Sequence, residues 1–343
     1  MSRTRHRAVL ATAAVSILVT ACGGNGNGDG SGGGLGADFE EIEELARQEG
    51  ELVLYTATHD GINEAEITAF NEAYPEIEVI HTRLVSGELT TRFASEAEAG
   101  AQGADLIKIA DNLMLEDRPD WFQPLDTDRA PNLTNVDSQF VADHYVHMMA
   151  GPFVVTANTE MISTPPTRWE QLIEPPYAGA GELADPRASG AFMAAYAQLR
   201  EWQGDEFLTA IADAGYPFYD SSATAVQQAA AGEFSFVGPG QHAHSLELRE
   251  AGAPLETSTL EPTLALTHIA AVAADAQNPN AAMVYLNWLL SEEGQAAACS
   301  GEYQALATDQ LDDCPAAPAD LTVIDARKGN EQADQIVALL GLE

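Results

Sequence analysis

LVLYTATHDGINEAEITAFNEAYPEIEVIHTRL, residues 52–84, decides the fold. Leu52 to Tyr55 is a near-continuous apolar run of strand length, and Ile77 to Leu84 reads as a second strand. Between them Ile62, Ala65, Phe70 and Ala73 recur at helical spacing, and Pro75 ends the helix because its ring cannot continue the hydrogen-bond ladder. Strand, helix, strand is the unit of a parallel sheet, because parallel neighbours need a crossover between them.

Working outward, the alternation continues. Upstream, Asp38 to Glu49 reads as an amphipathic helix with Phe39, Ile42, Leu45 and Ala46 on one side, closed by Gly50. Downstream, Ser86 is placed to cap a helix running from Glu88 to about Ala99, and Ala104 to Ala110 makes a third strand. Beyond a linker rich in Pro, Asp and Asn (Asp117 to Asp137), Phe153 to Thr156 reads as a strand and Trp169 to Ile173 as a short helix. Gly190 to Trp202 and Ala223 to Ala231 read as longer helices, and Phe234 to Val237 as a strand. Gly238-Pro239-Gly240 reads as a tight turn, a helix follows to Gly252, and Leu264 to Ala273 is extended. Asn278-Pro279 then opens a helix that ends near Leu290. Ligands of open α/β sheets gather at the carboxyl ends of strands, which here are Thr56 to Asp60, Asp111-Asn112 and Gly238 to His244.

Length and charge bound the function. From Asp38 onward roughly 300 residues remain, more than one ordinary compact core and suited to two lobes with a cleft. Asp and Glu number 53 against 15 Lys and Arg, a formal charge of −38. Lys108 and Lys328 are the only lysines, which excludes nucleic acid as a partner, since phosphates must be met by positive charge. A hydrophobic content of 45% with clear periodicity speaks against disorder. Such an acid excess fits a saline external medium, where screening weakens self-repulsion; stability should then rise with salt.

The amino terminus carries an address. Arg3, Arg5 and Arg7 precede an apolar run from Ala8 to Thr20, which stops at Val19-Thr20-Ala21-Cys22. The run is shorter than the roughly 20 residues a membrane-spanning helix needs, and small residues before Cys22 suit peptidase cleavage, so the segment resembles a bacterial lipoprotein export signal. Cys22 would then be the lipidated first residue of the mature chain, whose charge falls to about −41 once the three arginines leave. Nine glycines among the fourteen residues Gly23 to Gly36 make a flexible tether. Cys299 and Cys314 remain, about fifteen residues apart in an oxidising compartment. A disulfide there closes a loop at a gain of roughly 3 kcal/mol, and a thiol-based active site is the rival reading.

Several segments together resemble the solute-binding proteins of ATP-driven importers, specifically the group that includes ferric-ion-binding, phosphonate and thiamine types. They are Leu52-Val53-Leu54-Tyr55 with His59, Ser86-Gly87-Glu88-Leu89, Ala104-Asp105-Leu106, and Trp169-Glu170-Gln171-Leu172. Asp185-Pro186-Arg187 with Ser189-Gly190-Ala191-Phe192, Gly232-Glu233, and Asn278-Pro279-Asn280-Ala281 running to Ser291-Glu292-Glu293-Gly294-Gln295 complete the set, over roughly residues 51 to 306. The resemblance implies an α/β, two-lobed periplasmic-binding-protein fold of type II, each lobe a mainly parallel sheet flanked by helices, with crossing hinge strands. The expected division is 1–21 as signal peptide, 22–37 as tether, 38–148 as the first part of lobe 1, 149–262 as lobe 2, and 263–343 as the return to lobe 1 with the C-terminal helices.

Ligand residues follow from the same resemblance. Ferric-ion members use a histidine after the first strand, a carboxylate after the third and a tyrosine pair on the second lobe; His59 and Asp111 match the first two. Gly240-Gln241-His242-Ala243-His244 stands where the tyrosines belong, with His242-Ala243 falling nearest. Hard Fe(III) prefers anionic oxygen, so imidazole in place of phenolate lowers affinity for the bare ion. Ser86-Gly87, Ser189-Gly190 and Ser222 each open a helix and offer hydroxyl and backbone N–H groups at its positive end, a setting for oxyanions. The expected ligand set is His59, Ser86, Asp111, Ser189, Gly190, Ser222 and His242, of which His59, Asp111 and His242 would hold a metal. His242 and His244 diverge by about 200° on a helix, so one of them, His242, is expected at the cleft. His144 and His147, read as a helical i,i+3 pair, have a surface or core role beside them as the plainer explanation.

No nucleophile elbow, phosphate-cradling Gly-rich loop or paired-histidine zinc motif is present, so an enzyme is not expected; an extracellular hydrolase is the reading from a different class. The expectation is a monomeric receptor without a cofactor, anchored outside the cell membrane by lipid on Cys22. It would capture a ferric ion with its anion, or alternatively an organic phosphate or phosphonate, by hinge closure, and pass it to a permease.

Overall fold

The structure is a computed structural model that describes residues 34–101, 103–110, 112–299, 304–305, 314 and 320–343. Asp38 caps α1 (Phe39–Glu49), its carboxylate accepting the Glu41 N–H at 3.0 Å, and Gly50 closes the helix in the left-handed conformation (φ 70°) that glycine adopts without a Cβ clash. β1 (Glu51–Thr56), α2 (Asp60–Ala73), β2 (Glu78–Arg83), α3 (Ser86–Ala99), β3 (Leu106–Ile109) and the short α4 (Leu113–Asp117) follow. β1 pairs in parallel with both β2 and β3, which makes residues 52–84 the first βαβ unit.

Strand alternation sorts the side chains. Leu52, Leu54 and Leu106 enter one core with Ile42 and Phe70, while Tyr55, Ile107 and Ile109 enter the opposite core with Leu89 and Phe93. The same alternation sends Lys108 to the α2 side, where it is fully buried and ion-paired with Glu66, itself fully buried. α2 therefore buries Ile62, Asn63, Glu66 and Phe70, with two polar residues in place of the alanines of the apolar stripe expected from the sequence. α3 also differs from its reading. It begins at Ser86, its cap position is Val85, and no side chain caps it.

β4 (Val146–Pro152) leaves this sheet and, past Phe153, continues as β5 (Val154–Asn158) in a second one. There β6 (Glu182–Ala184), β7 (Phe218–Tyr219), β8 (Phe236–Gly240) and β9 (Leu255–Thr259) alternate with α5 (Gly190–Gln203), α6 (Asp205–Asp213), α7 (Ser222–Ala230) and α8 (Ala243–Glu250). β10 (Leu264–Val272) returns to the first sheet, followed by α9 (Pro279–Leu289), α10 (Glu292–Cys299), β11 (Gln304–Ala305), β12 (Thr322–Val323) and α11 (Ala326–Leu339). Among the described residues the first sheet runs β11-β4-β10-β3-β1-β2 with β12 on β10, and the second β7-β6-β8-β5-β9.

Both sheets are mixed. The strands of each βαβ part are parallel, whereas β10 is antiparallel to β3 and β4, and β5 to β8 and β9. At the crossing, the Phe153 N–H donates to the Leu264 carbonyl at 2.7 Å and ties the two connecting strands together. Gly238-Pro239-Gly240 lies inside β8 rather than in the expected turn; the register slips opposite it, between Val154 and Thr156, and such a bulge lets proline sit in a strand.

The ends of the chain add two findings. Leu35 and Gly36, placed in the tether by the sequence reading, are docked: the Gly36 N–H donates to Asn280 Oδ1 at 2.9 Å and Leu35 packs on the first core. An apolar residue interrupting the glycine run supplies that anchor. α11 packs on α5 and α6, and Ile336 and Leu340 join the second sheet's core rather than the first lobe's. Cys299 and Cys314 are joined as a disulfide, with Cα atoms 5.6 Å apart. Cys22 and the signal segment lie outside the described residues.

Candidate functional site

A cavity of about 570 Å³ opens where the crossing strands pass between the two sheets. Its floor is β10, through Thr267 and Ile269, and β4, through His147. Ser86 and Gly87 reach it from the first lobe, and Ser189 and Gly190 from the second. Each pair sits at the amino terminus of a helix, so backbone N–H groups and helix dipoles converge from both sides. At α5 the Ser189 hydroxyl accepts the Phe192 N–H at 3.2 Å. Around Gly87 and Gly190 nothing lies within 4 Å of where a Cβ would stand, so a bound group can approach the bare backbone closely. α11 also begins at the cavity, through Ala326, but its N-terminus is filled by its own anion: the Asp325 carboxylate accepts from the N–H groups of Arg327 and Lys328 at 2.9 and 3.2 Å.

His147 is the ionisable side chain on the floor. Its Nδ1 is 2.5 Å from Thr267 Oγ1, and burial holds the imidazole's proton affinity down to about 4, so the ring is neutral at ordinary pH. Neutral imidazole presents a hydrogen-bonding nitrogen without charge. Asn112 lines the adjoining wall, 3.4 Å from the Tyr145 hydroxyl. Thus neither an Arg or Lys nor an Asp or Glu lines the cavity among the described residues, and its polar groups are hydroxyls, amides, one imidazole and two helix ends.

The residues expected from the sequence fall into separate places. Ser86, Ser189 and Gly190 share the cavity. His59, Ser222 and His242 do not line it. His59 caps α2 by accepting the Gly61 N–H on Nδ1 at 3.3 Å. His244 is an electrostatic neighbour of His59 across the chain: desolvation first and His59 second lower the proton affinity of His244. His242 is the residue before α8, one turn position away. Ser221, not Ser222, caps α7, while Ser222 hydrogen-bonds to Tyr219, whose hydroxyl donates to the Pro239 carbonyl at 2.7 Å. Asp111 lies outside the described residues, although Ala110 and Asn112 on either side line the cavity. Among the described residues no three His, Cys, Asp or Glu side chains gather into a group that could hold a metal ion.

His147 and Thr267 escaped the sequence reading. The spacing of His144 and His147 suits a helix face, whereas His147 is the second residue of a strand, and the strand pairing with β10 is what brings Thr267 beside it.

A two-sheet chain with crossing strands over a ligand-sized cavity is the architecture of a bilobal binding protein. Residues 65–313 match the model of the bacterial extracellular solute-binding proteins, and the chain belongs to that family, the solute-capturing type that serves ABC transporters and is in general not enzymatic. It is an extracytoplasmic family, and no described helix is long and apolar enough to cross a membrane. Solved structures share the type II fold over nearly their whole length. Iron-bound HitA from Pseudomonas aeruginosa is 20% identical with a TM-score of 0.68, covering 85% of this chain and 98% of its own. AfuA from Actinobacillus pleuropneumoniae, with exogenous fructose-6-phosphate bound, is 22% identical with a TM-score of 0.63, covering 86% and 100%. The Trichodesmium protein IdiA (FutA), in complex with iron and citrate, is 16% identical with a TM-score of 0.66, covering 86% and 100%. Identities this low establish the fold alone. No curated protein matches the chain in a sequence search.

Proposed function

We propose that this protein is the lipid-anchored receptor of an ABC importer, that it captures a small organic oxyanion, such as a phosphate ester, phosphonate or carboxylate, and that closure of its lobes commits the solute to the permease. The observation that carries this reading is the cavity between two helix amino termini, one from each lobe, with a bare glycine beside each. A chain at −38 repels anions at a distance, so a local field from helix ends is what an anionic guest requires. An anion touching both α3 and α5 stabilises the closed arrangement by its differential affinity for it, which is how a ligand drives a hinge. The neutral His147 and Asn112 suit an uncharged hydroxyl or carbonyl on the same solute.

A ferric ion with its synergistic anion is the second reading, favoured by the iron-bound relatives of the same fold and by His59 and Asp111 at the family's positions. The cavity favours the first, because about 570 Å³ far exceeds a bare ion and its described lining offers no anionic oxygen to hard Fe(III). Thermal melting against a panel of phosphate esters, phosphonates and carboxylates, each with and without ferric ion, separates the two. A metal-free oxyanion should raise Tm by several degrees in the wild type and much less in Ser86→Ala/Ser189→Ala. Stabilisation only with iron supports the second reading, and stabilisation indifferent to both serines contradicts the site.

A further inference from the structure

Arg327 is the second residue of α11, a helix fixed to the second lobe. Gly329 lies so close to α5 that an added Cβ would stand 2.8 Å from the Ala194 nitrogen, and Lys328 pairs with Glu201 of α5 at 2.6 Å. From that base the Arg327 guanidinium reaches across to α4, meeting Asp117 at 2.8 Å and Glu116 at 3.2 Å. α4 belongs to the first lobe, because Met114 and Leu115 are rooted in the core beside β3. The other ion pairs described for the chain keep both partners within one lobe. Ala326 and Leu113, one from each end of this bridge, line the cavity. Asn112, another lining residue, donates to Glu116 Oε1 at 2.5 Å, so the cavity wall and the ion pair share one carboxylate.

We propose that Arg327 is a positioning residue for solute capture: its paired contacts with Glu116 and Asp117 latch the two lobes over the cavity, and Asn112 links the latch to the guest. The idea rests on the capture reading above, yet the latch acts on the guest-free chain as well. Two exposed ion pairs shift a closed-to-open ratio by about threefold to tenfold. Removing the cation also leaves two carboxylates facing a lobe of like charge, which pushes the same way.

Hydrogen–deuterium exchange of the guest-free, full-length protein at low ionic strength reads this directly. Arg327→Gln should speed exchange about threefold to tenfold at Ser86–Gly87 and Ser189–Gly190 while β3 and the middle of α5 exchange as in the wild type. The charge exchange Arg327→Glu with Asp117→Arg should restore slow exchange, and molar KCl should make the wild type behave like Arg327→Gln. Unchanged exchange at both walls overturns the latch, as does an increase spread evenly through both cores or a charge exchange that restores nothing. Because no guest is present, any of these results leaves the capture reading standing on its own melting experiment.

Discussion

At the residue scale, burial acts on ionisable groups that composition does not announce, among them the largely buried His147 and the Glu66–Lys108 pair. His147 has a folded value near 4 against 6.5 for the free ring, so the unfolded chain takes its proton first as pH falls. Its contribution is therefore complete above about pH 6.5 and is lost progressively down to about pH 4, an effect of about 3 kcal/mol. His147→Asn keeps a partner for Thr267 without titrating, and should move the acid-unfolding midpoint, followed by circular dichroism, to lower pH; an unmoved midpoint contradicts the assignment. Glu66 and Lys108 form the second case. Burial raises the Glu66 carboxyl, Lys108 opposes that shift, and the pair shares its buried layer with Asn63, whose Oδ1 accepts from Thr56 Oγ1 at 3.0 Å and lies 3.4 Å from the Lys108 ammonium. Glu66→Gln leaves an ammonium buried without its counter-ion and should cost about 3–5 kcal/mol in urea unfolding, whereas Glu66→Leu with Lys108→Met should come within about 2 kcal/mol of the wild type or exceed it. This pair was illegible in the sequence because its members are 42 positions apart and only the strand register turns Lys108 toward α2. Ser189 is legible, since a serine ahead of a helical run marks a helix start whatever lies beyond it, whereas Ser86 stands one residue inside α3 and not at the cap its sequence suggests.

Among elements, those whose pattern is local were readable and those whose partner is distant were not. The period of residues 52–84 determines strand, helix and strand without reference to the rest of the chain, and Asp38 and Gly50 bracket α1 by their own backbone preferences. The strand at β8 is readable up to Val237, but Gly-Pro-Gly signals a turn locally, and only the bulge in β5 opposite makes room for it in a sheet. α11 has a clear apolar face, but nothing in that face says which core it covers. The structure assigns it to α5, and the contact at Gly329 is so close that Gly329→Ala must push two helix backbones apart. That substitution should destabilise by about 1–3 kcal/mol in chemical denaturation despite alanine's better helix propensity, and a neutral or stabilising result would mean the helices do not meet as described.

For the molecule as a whole, chain length and the alternation of elements were enough to anticipate two lobes, and the family match agrees with that architecture. The cavity was only half legible, because its walls are helix starts that sequence reveals while its floor is made by strands crossing between sheets, whose pairing it does not. The central claim is that one small anion sits between α3 and α5. Native mass spectrometry of protein freshly purified from the cells that make it, wild type beside Gly190→Trp, tests this most directly, since Gly190 lines the cavity, nothing lies within 4 Å of a Cβ added there, and an indole carried on that Cβ would compete with a guest for the space. The account predicts a single non-covalent small organic anion on the wild type and none on the variant. A guest-free wild type, or a guest retained equally by Gly190→Trp, would contradict it.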